Sequence, residues 1–331
     1  MNVIVVQTAF LGDVLLTLPL CAAVKRTVPD ATVTFVTTPA AASMIAHTDV
    51  VDRIVEFDKR GRHRSLQQQK ALARSLGGDN TAVLVAHKSW RTALFVRSIP
   101  AEISIAFADS PAKWFASVSI EVPRGLHAAE RYMQLLAPML SMHTSMPSLS
   151  DCVPIRLADR SIASMQIDQP HVVLAPGSVW ATKQWPSARF RELAAKLVHE
   201  GMRVSVIGDA SVIDVARGIE GVENYAGTTS MSEAAGIVAQ ATILVANDSA
   251  PVHLASLQNV PTVAIFGPTV PEFGFGPFGS HVMVAQRQQL RCRPCSDHGT
   301  SACPLGTHEC MTSITVEEVF GHIQHLLQRS R

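Results

Sequence analysis

The sequence has little charge and few aromatic residues, and it lacks any long apolar run. Of its 331 residues, 17% are charged and 5% are aromatic, against 47% that are apolar. This composition excludes disorder and allows a substantial core. The 28 basic and 27 acidic residues leave a net charge of +1, without the basic excess typical of nucleic-acid binding. No apolar run reaches the roughly 18–20 residues of a membrane span.

A targeting signal is also missing from the pattern. The run Met1–Val6 lacks the charged flank and the length of a signal peptide, and it indicates a buried first strand. We therefore expect a cytoplasmic protein, long enough for two domains of ordinary size. In that compartment its six cysteines are expected as thiols or metal ligands rather than disulfides.

Short β-branched runs alternate with helical patterns along both halves of the chain. This alternation predicts parallel sheets covered by helices on both faces. Residues 141–160 are rich in Ser, Pro and Met without periodicity and indicate a linker. We predict an α/β fold of two Rossmann-like domains facing across a cleft, at residues 1–150 and 151–331. The predicted strands are Val3–Gln7, Thr32–Thr37, Arg53–Phe57, Ala82–Ala86, Glu102–Ala106, Val172–Ala175, Arg203–Ile207, Ile243–Ala246 and Thr262–Phe266. The predicted helices are Leu15–Thr27, Pro39–Ala46, Ser65–Leu76, Ser89–Arg97, Ala128–Leu140, Ser187–Glu200, Ser211–Gly218, Ser232–Gln240 and Ala250–Leu257.

The segment Leu244–Ala255 carries the strongest functional signal. An apolar run ends in Asn-Asp-Ser, and an apolar-periodic run begins at once with Pro251 near its start. This pattern predicts a strand, a turn and a capped helix. The N–H groups at such a helix N-terminus favour phosphate. His253 falls one turn after Ser249, either facing the ligand or as a core or capping histidine.

The loop Thr8–Asp13 follows the first predicted strand. Gly12 permits a tight turn or a close approach of a ligand. From spacing alone the favoured role of Asp13 is to cap the helix that follows. The alternative is a general base beside an acceptor hydroxyl. The loop has no G-x-G-x-x-G, which counts against a dinucleotide fingerprint.

The loop Ala175–Pro186 contains Pro-Gly-Ser and Lys183. Backbone N–H groups, a hydroxyl and a point positive charge suit a diphosphate, and Lys183 could stabilise the leaving charge without a metal. The plain alternative is a solvated loop lysine, with the tryptophans packed at a domain edge. The predicted phosphate-binding turn in Leu244–Ala255 supports the interpretation of this loop as a diphosphate site.

Four cysteines lie close together, in the spacing C-x2-C-x7-C-x6-C. Four thiols at this separation can hold zinc or an iron–sulfur cluster. The spacing is not that of a standard finger, and reduced thiols in a loop are the favoured interpretation. The residues of this cysteine segment are Cys292, Cys295, Cys303 and Cys310.

Taken together, these segments resemble the heptosyltransferase family, glycosyltransferase family 9, whose fold is GT-B. The motifs that carry the resemblance span nearly the whole chain and occur in the family's order. They are Gly12–Pro19, Ala175–Pro186, Asn247–His253, Ile265–Thr269 and Cys292–Cys310.

The resemblance implies a role for each matching residue. Asp13 corresponds to the proposed catalytic base, and Lys183 to the lysine that contacts the donor diphosphate. Asp248 is expected to face the sugar, and the N–H groups after it to face the phosphates. The implied donor-binding residues are Ser178, Asp248, Ser249, Ala250, His253 and Thr229.

The resemblance also implies substrates and a reaction. The donor would be ADP-L-glycero-β-D-manno-heptose, and the acceptor the lipid A–Kdo-type inner core of lipopolysaccharide. A single displacement would invert the anomeric carbon with no catalytic cofactor. Such an acceptor implies peripheral contact with the inner face of the cytoplasmic membrane.

Two departures from the family pattern concern the donor. Ala250 stands where the family turn usually has glycine, which alters the approach of the backbone to phosphate. Val212, flanked by Asp209 and Asp214, lies near the place of an acidic residue that holds the ribose.

Two alternatives remain at this point. A nucleotide-sugar epimerase uses the same two-domain fold, but the Gly12-Asp13 loop favours transfer. A non-catalytic nucleotide-sugar-binding relative is disfavoured because both Asp13 and Lys183 are present.

Overall fold

Each half of the chain forms a six-stranded parallel sheet, as the alternation predicts. The computed structural model describes residues 1–122, 124–158 and 169–329. The last two residues of the predicted linker lie outside these ranges. The chain divides into two compact units, Met1–Arg156 and Leu157–Arg331.

The first unit alternates strands and helices from its first residues. The buried strand Val3–Val6 is apolar on both faces, as a central parallel strand requires. Its strands are β1 Asn2–Val6, β2 Thr32–Thr37, β3 Arg53–Glu56, β4 Thr81–Val85, β5 Ile103–Phe107 and β6 Val118–Ile120. Its helices are α1 Leu11–Thr27, α2 Pro39–Met44, α3 Leu66–Arg74, α4 Trp90–Val96 and α5 Ala128–Met133.

The second unit repeats the pattern and ends in a long amphipathic helix. Its strands are β7 His171–Ala175, β8 Arg203–Val206, β9 Val222–Asn224, β10 Ile243–Asn247, β11 Thr262–Phe266 and β12 Val282–Gln286. Its helices are α6 Ser187–His199, α7 Met231–Ala239, α8 Ala250–Leu257, α9 Glu309–Thr312 and α10 Val316–Arg329.

The two sheets have the same topology. The strand order is β3-β2-β1-β4-β5-β6 in the first unit and β12-β11-β10-β7-β8-β9 in the second. Numbered within each unit, both orders are 3-2-1-4-5-6, which is the Rossmann order. The prediction of two Rossmann-like α/β domains is therefore confirmed.

The predicted capping role of Asp13 is wrong. Helix α1 begins at Leu11, and its N-cap is Phe10, which has no hydrogen-bonding side chain. Asp13 is thus the third residue of the helix, where a carboxylate interacts favourably with the helix dipole. Gly12 is helical, so it makes no tight turn.

Other differences lie at weakly patterned segments. The helix predicted at Ser211–Gly218 is a short 3₁₀ helix, Ala210–Val215, in a β-branched run of poor helix propensity. The predicted helix Ala128–Leu140 becomes 3₁₀ at Gln134, before Pro138. Strands β6, β9 and β12 were not predicted from sequence, and they are short or partly exposed edge strands. Helices α9 and α10 were not predicted either. Among the described helices, none is both long enough and apolar enough to cross a bilayer.

Candidate functional site

The topology marks one place in each unit where a ligand is expected. The strand order reverses between β1 and β4 in the first unit, and between β7 and β10 in the second. In open parallel sheets, ligands bind beyond the carboxyl ends of the strands at this switch point. Most of the residues predicted from sequence follow these strands: Asp13 in the first turn of α1 after β1, Ser178 and Lys183 in the segment after β7, and Asp248 and Ser249 in the turn after β10.

In the second unit, Lys183 and Asp248 form an ion pair. Lys183 Nζ lies 2.6 Å from Asp248 Oδ2, and the two side chains are only 13% and 7% exposed. The Thr269 hydroxyl donates to the same carboxylate oxygen at 2.6 Å. The motif residues after β7, β10 and β11 thus meet at one carboxylate. The alternative of Lys183 as a solvated loop lysine is wrong.

A buried asparagine holds the two central loops together. The Asn247 side chain accepts from the backbone N–H of Trp185 at 3.0 Å and donates to the carbonyl of Pro176 at 2.5 Å. Trp185 is 1% exposed and donates its indole N–H to the carbonyl of Ile314 at 3.0 Å. Asn247 thereby fixes the loop that carries Lys183 against the end of β10.

The other donor-site candidates occupy different positions around this pair. Ser249 precedes α8, and its hydroxyl donates to the carbonyl of Gly177 at 3.1 Å. Ala250 is the first residue of α8, and His253 is buried in the next turn at 5% exposure. Ser178 lies in the Lys183 loop, where its carbonyl accepts from Gln184 at 2.8 Å. Thr229 instead follows β9, the edge strand two places from β7, and its hydroxyl donates to the carbonyl of Tyr225 at 3.4 Å.

In the first unit, Asp13 accepts a hydrogen bond from a distant tyrosine. The hydroxyl of Tyr132, on α5, donates to Asp13 Oδ1 at 2.9 Å. Burial and the negative charge of Asp13 raise the pKa of Tyr132 well above its usual value, so the phenol stays protonated as the donor. This contact orients the Asp13 carboxylate beyond the end of β1. Nothing in the local sequence indicates it.

A second polar cluster at the same sheet edge was also missed. Lys59 Nζ lies 2.5 Å from the hydroxyl of Thr8 and 3.2 Å from that of Thr92. His87 Nδ1 lies 2.7 Å from the hydroxyl of Thr8 and 2.8 Å from that of Thr92. Burial, with the nearby charge of Arg91, lowers the pKa of Lys59 to about 8. Burial, with the charge of Lys59, lowers the pKa of His87 to about 4. The signal available in sequence was the position of Thr8, Lys59 and His87 just after predicted strands, whereas Thr92 lies in the first turn of α4.

The cysteine segment does not have the arrangement of a metal site. All its cysteines are free; Cys292 and Cys295 are exposed, whereas Cys310 is buried. Within the described residues, no three His, Cys, Asp or Glu side chains are grouped so that they could hold a metal ion. The residues present therefore do not fit a four-thiolate centre in this conformation.

The same segment packs on two candidate donor-site loops, the loop after β11 with Thr269 and the loop after β7 with Lys183. The backbone N–H of Cys295 donates to the carbonyl of Pro268 at 3.0 Å, and Arg293 donates to the carbonyl of Thr269 at 2.6 Å. On the other side, the backbone of Thr300 exchanges hydrogen bonds with Thr182, the neighbour of Lys183. The segment thus braces the loops that hold the ion pair.

These groups have complementary chemical capacities. The second unit offers a fixed ammonium and the N-terminus of α8, both suited to phosphate oxygens. The first unit offers a carboxylate oriented by a phenol, suited to accept a proton from a hydroxyl. A positive site for a leaving diphosphate and a base for an incoming hydroxyl are the requirements of group transfer from a nucleotide-activated donor.

Comparisons with known proteins agree with this interpretation. A family profile described as glycosyltransferase family 9 (heptosyltransferase) matches residues 69–305. Lipopolysaccharide heptosyltransferase 1 of Pseudomonas aeruginosa is 30% identical over 311 residues, which cover 89% of this chain and 86% of that protein.

Two solved structures share the fold. The family 9 glycosyl transferase from Veillonella parvula superposes with a TM-score of 0.83 at 21% identity, covering 99% of this chain and 97% of that one. The Escherichia coli heptosyltransferase WaaC with ADP gives a TM-score of 0.78 at 22% identity, covering 98% and 100%. The α/β architecture shared with these structures is that of the GT-B fold.

Proposed function

The chain belongs to glycosyltransferase family 9, the heptosyltransferases, and on that premise we propose that it transfers heptose from ADP-L-glycero-β-D-manno-heptose to the inner core of lipopolysaccharide. The donor-binding part of this proposal rests on the buried ion pair of Lys183 and Asp248, which lies just before the N-terminus of α8. We assign acceptor binding to the first unit and donor binding to the second.

The proposed reaction is a single displacement at the anomeric carbon. Asp13 accepts the proton of an acceptor hydroxyl while that oxygen forms the new glycosidic bond. The bond between the anomeric carbon and the phosphate oxygen breaks, and ADP leaves with the electron pair. Attack from the face opposite to the leaving group inverts the configuration.

Lys183 is proposed to stabilise the charge that grows on the leaving diphosphate. Its ammonium is held beside the first turn of α8, where the helix dipole favours the same negative charge. Asp248 is proposed to bind the sugar while it keeps Lys183 in place. With this positive charge built into the protein, no metal cofactor is required for the transfer.

The proposed location is the cytoplasm, at the inner face of the cytoplasmic membrane. The acceptor of the proposed reaction is a lipid-anchored lipid A–Kdo-type saccharide, so the enzyme has to work beside a bilayer.

Product analysis with ADP-heptose, in the presence and absence of a Kdo-bearing lipid A acceptor, tests the function. Acceptor-dependent release of ADP together with a heptosylated product supports transfer. An isomerised nucleotide sugar without acceptor would identify an epimerase. Binding of ADP-heptose with neither product would identify a non-catalytic relative. An Asp13→Asn protein prepared in parallel serves as the inactive control.

A further inference from the structure

Two neighbouring helices of the first unit present a surface that the proposed reaction does not use. On α3, Leu66, Lys70 and Arg74 follow one another at intervals of four residues and are exposed, whereas Gln69 and Ala73 are buried. Residues spaced in this way share one side of a helix. The exposed side of α3 is therefore both apolar, at Leu66, and basic, at Lys70 and Arg74.

Helix α4 presents a similar side. Trp90 is 60% exposed and Leu94 is 43% exposed, and the exposed Arg97 follows one turn later at the end of the helix. One groove of about 540 Å³ is lined by residues of both helices, including Leu66, Arg74, Leu94 and Arg97. The two sides are thus continuous. We call this surface the α3–α4 face, defined by Leu66, Lys70, Arg74, Trp90, Leu94 and Arg97.

The charge of this face is of one sign. Residues 59–78 and 88–101, which contain it, include no Asp or Glu, although the whole chain is nearly neutral. The exposed Arg91 and Lys113 lie in or beside α4, and Trp114 next to Lys113 is 69% exposed. The nearby Asp109 is paired with Lys88 at 2.6 Å. Exposed tryptophan and leucine among lysines and arginines are characteristic of surfaces that lie on anionic lipid.

The position of the face relates it to the proposed chemistry. Helices α3 and α4 follow β3 and β4, so their N-terminal ends, with Leu66 and Trp90, are at the carboxyl edge of the sheet. Asp13 follows β1 at that same edge. A bilayer lying along the α3–α4 face would therefore extend to the edge of the sheet where Asp13 lies, and a lipid-anchored sugar could be presented there.

We propose that the α3–α4 face docks the enzyme on a bilayer of anionic phospholipid. Its benefit to catalysis rests on the proposed function, but the binding itself does not. The lysines and arginines would engage lipid phosphates, and Trp90 and Leu94 would enter the headgroup region. Each basic residue near such a surface contributes about fivefold to the partition coefficient.

Co-sedimentation of the full-length protein with vesicles tests the proposal. We expect binding to vesicles of phosphatidylglycerol and phosphatidylethanolamine, much weaker binding to pure phosphatidylcholine, and loss of binding at high salt. The double variant Arg74→Glu/Arg97→Glu should lower the partition coefficient at least 25-fold, from about fivefold for each lost charge. Trp90→Ala/Leu94→Ala should lower it without changing the charge.

The matched control carries the same change of charge on the second unit. Arg189→Glu/Arg217→Glu, at one half-exposed and one exposed position of that unit, should bind vesicles more tightly than Arg74→Glu/Arg97→Glu by at least tenfold. The proposal is overturned if wild-type protein does not bind anionic vesicles. That result is expected if the face binds another protein. Equal loss in the two charge-reversal variants also overturns the proposal, because general charge would then explain the binding.

Activity separates this proposal from the proposed function. A delipidated, water-soluble acceptor should be used equally well by wild type and Arg74→Glu/Arg97→Glu, whereas the lipid acceptor in vesicles should be used more slowly by the variant. If wild type transfers heptose to neither acceptor, the proposed function fails, and the vesicle assay still decides the docking surface.

Discussion

The side chains assigned to the chemistry are each held by a neighbour distant in sequence. Tyr132 donates to Asp13, and Thr269 donates to the carboxylate that pairs with Lys183. A hydrogen bond to a charged group contributes about 1.5–3 kcal/mol to stability, and it also restricts the orientation of that group. At this scale, reactivity depends on the proposed base and cation and also on the hydroxyls that position them.

Replacing Asp13 with asparagine should abolish most turnover without unfolding the protein. The amide has nearly the same shape but cannot take the acceptor proton, so kcat should fall by roughly 10²-fold or more. Tyr132→Phe keeps the carboxylate and should have a smaller effect. Steady-state kinetics and thermal unfolding of both variants check this. An Asp13→Asn enzyme with turnover close to wild type would rule out Asp13 as the base.

Thr269 is predicted to be a positioning residue for the donor site. Thr269→Val removes one hydroxyl from Asp248 at constant shape and should reduce kcat/KM about 10-fold or more, by the loss of a charged hydrogen bond. Thr269→Ser should restore activity because it keeps the hydroxyl. Lys183→Ala should weaken donor binding and slow transfer more severely. Similar kinetics for the valine and serine variants would contradict the assignment.

His87 should make the fold sensitive to acid. Its pKa is lowered to about 4 in the folded protein from an ordinary 6.5, so the unfolded chain binds the proton more readily. Stability is therefore lost as the pH falls from about 6.5 to 4. Urea unfolding of His87→Asn at several pH values should show a flatter dependence in this range. His199→Asn, at an 88% exposed side chain, is the control and should follow wild type.

Among the helices and strands, the sequence predicted some elements well and others not at all. Central strands such as β1 are continuous apolar runs, and their positions are confirmed within a residue or two. Edge strand β9 has three residues and is partly exposed, so it resembles a loop in sequence. Helix α10 has a periodic apolar side that includes Val316, Val319 and Ile323, although no helix was predicted there.

The cysteine segment is predicted to act through its backbone contacts with the donor-site loops rather than through its thiols. Cys292→Ser/Cys295→Ser changes two exposed side chains and should retain turnover. Its thermal stability should be unchanged if no metal is bound, and lower if a metal clips the loop. Elemental analysis of the wild-type protein decides between these cases. A folded double variant without turnover would show that the thiols themselves are needed.

At the scale of the whole molecule, two units of the same strand order carry complementary groups. In the proposed mechanism, Lys183 and the N-terminus of α8 supply the positive charge for the diphosphate. Transfer should therefore persist in excess EDTA, because no divalent ion is needed to balance the leaving charge. Loss of transfer on chelation, with recovery on adding Mg²⁺ or Mn²⁺, would contradict this prediction.

The alternation of strands and helices, the motifs at the strand ends and the family could all be predicted from the amino-acid sequence. Apolar periodicity, caps and short loops are local signals. They predict secondary structure from neighbouring residues, without reference to distant parts of the chain. Even locally, the start of α1 was misplaced, because the spacing of Asp13 fits a cap as well as a first turn.

Which side chains are in contact could be learned only from the folded chain. Tyr132 reaches Asp13 across 119 residues, and Lys59 reaches Thr8 across 51. Such contacts depend on how helices pack on a sheet, and the local sequence pattern does not predict them. The resemblance assigned Lys183 and Asp248 to one donor site, but only the folded structure shows that they form an ion pair and that Thr269 binds the same carboxylate, because strand order sets which loops are neighbours.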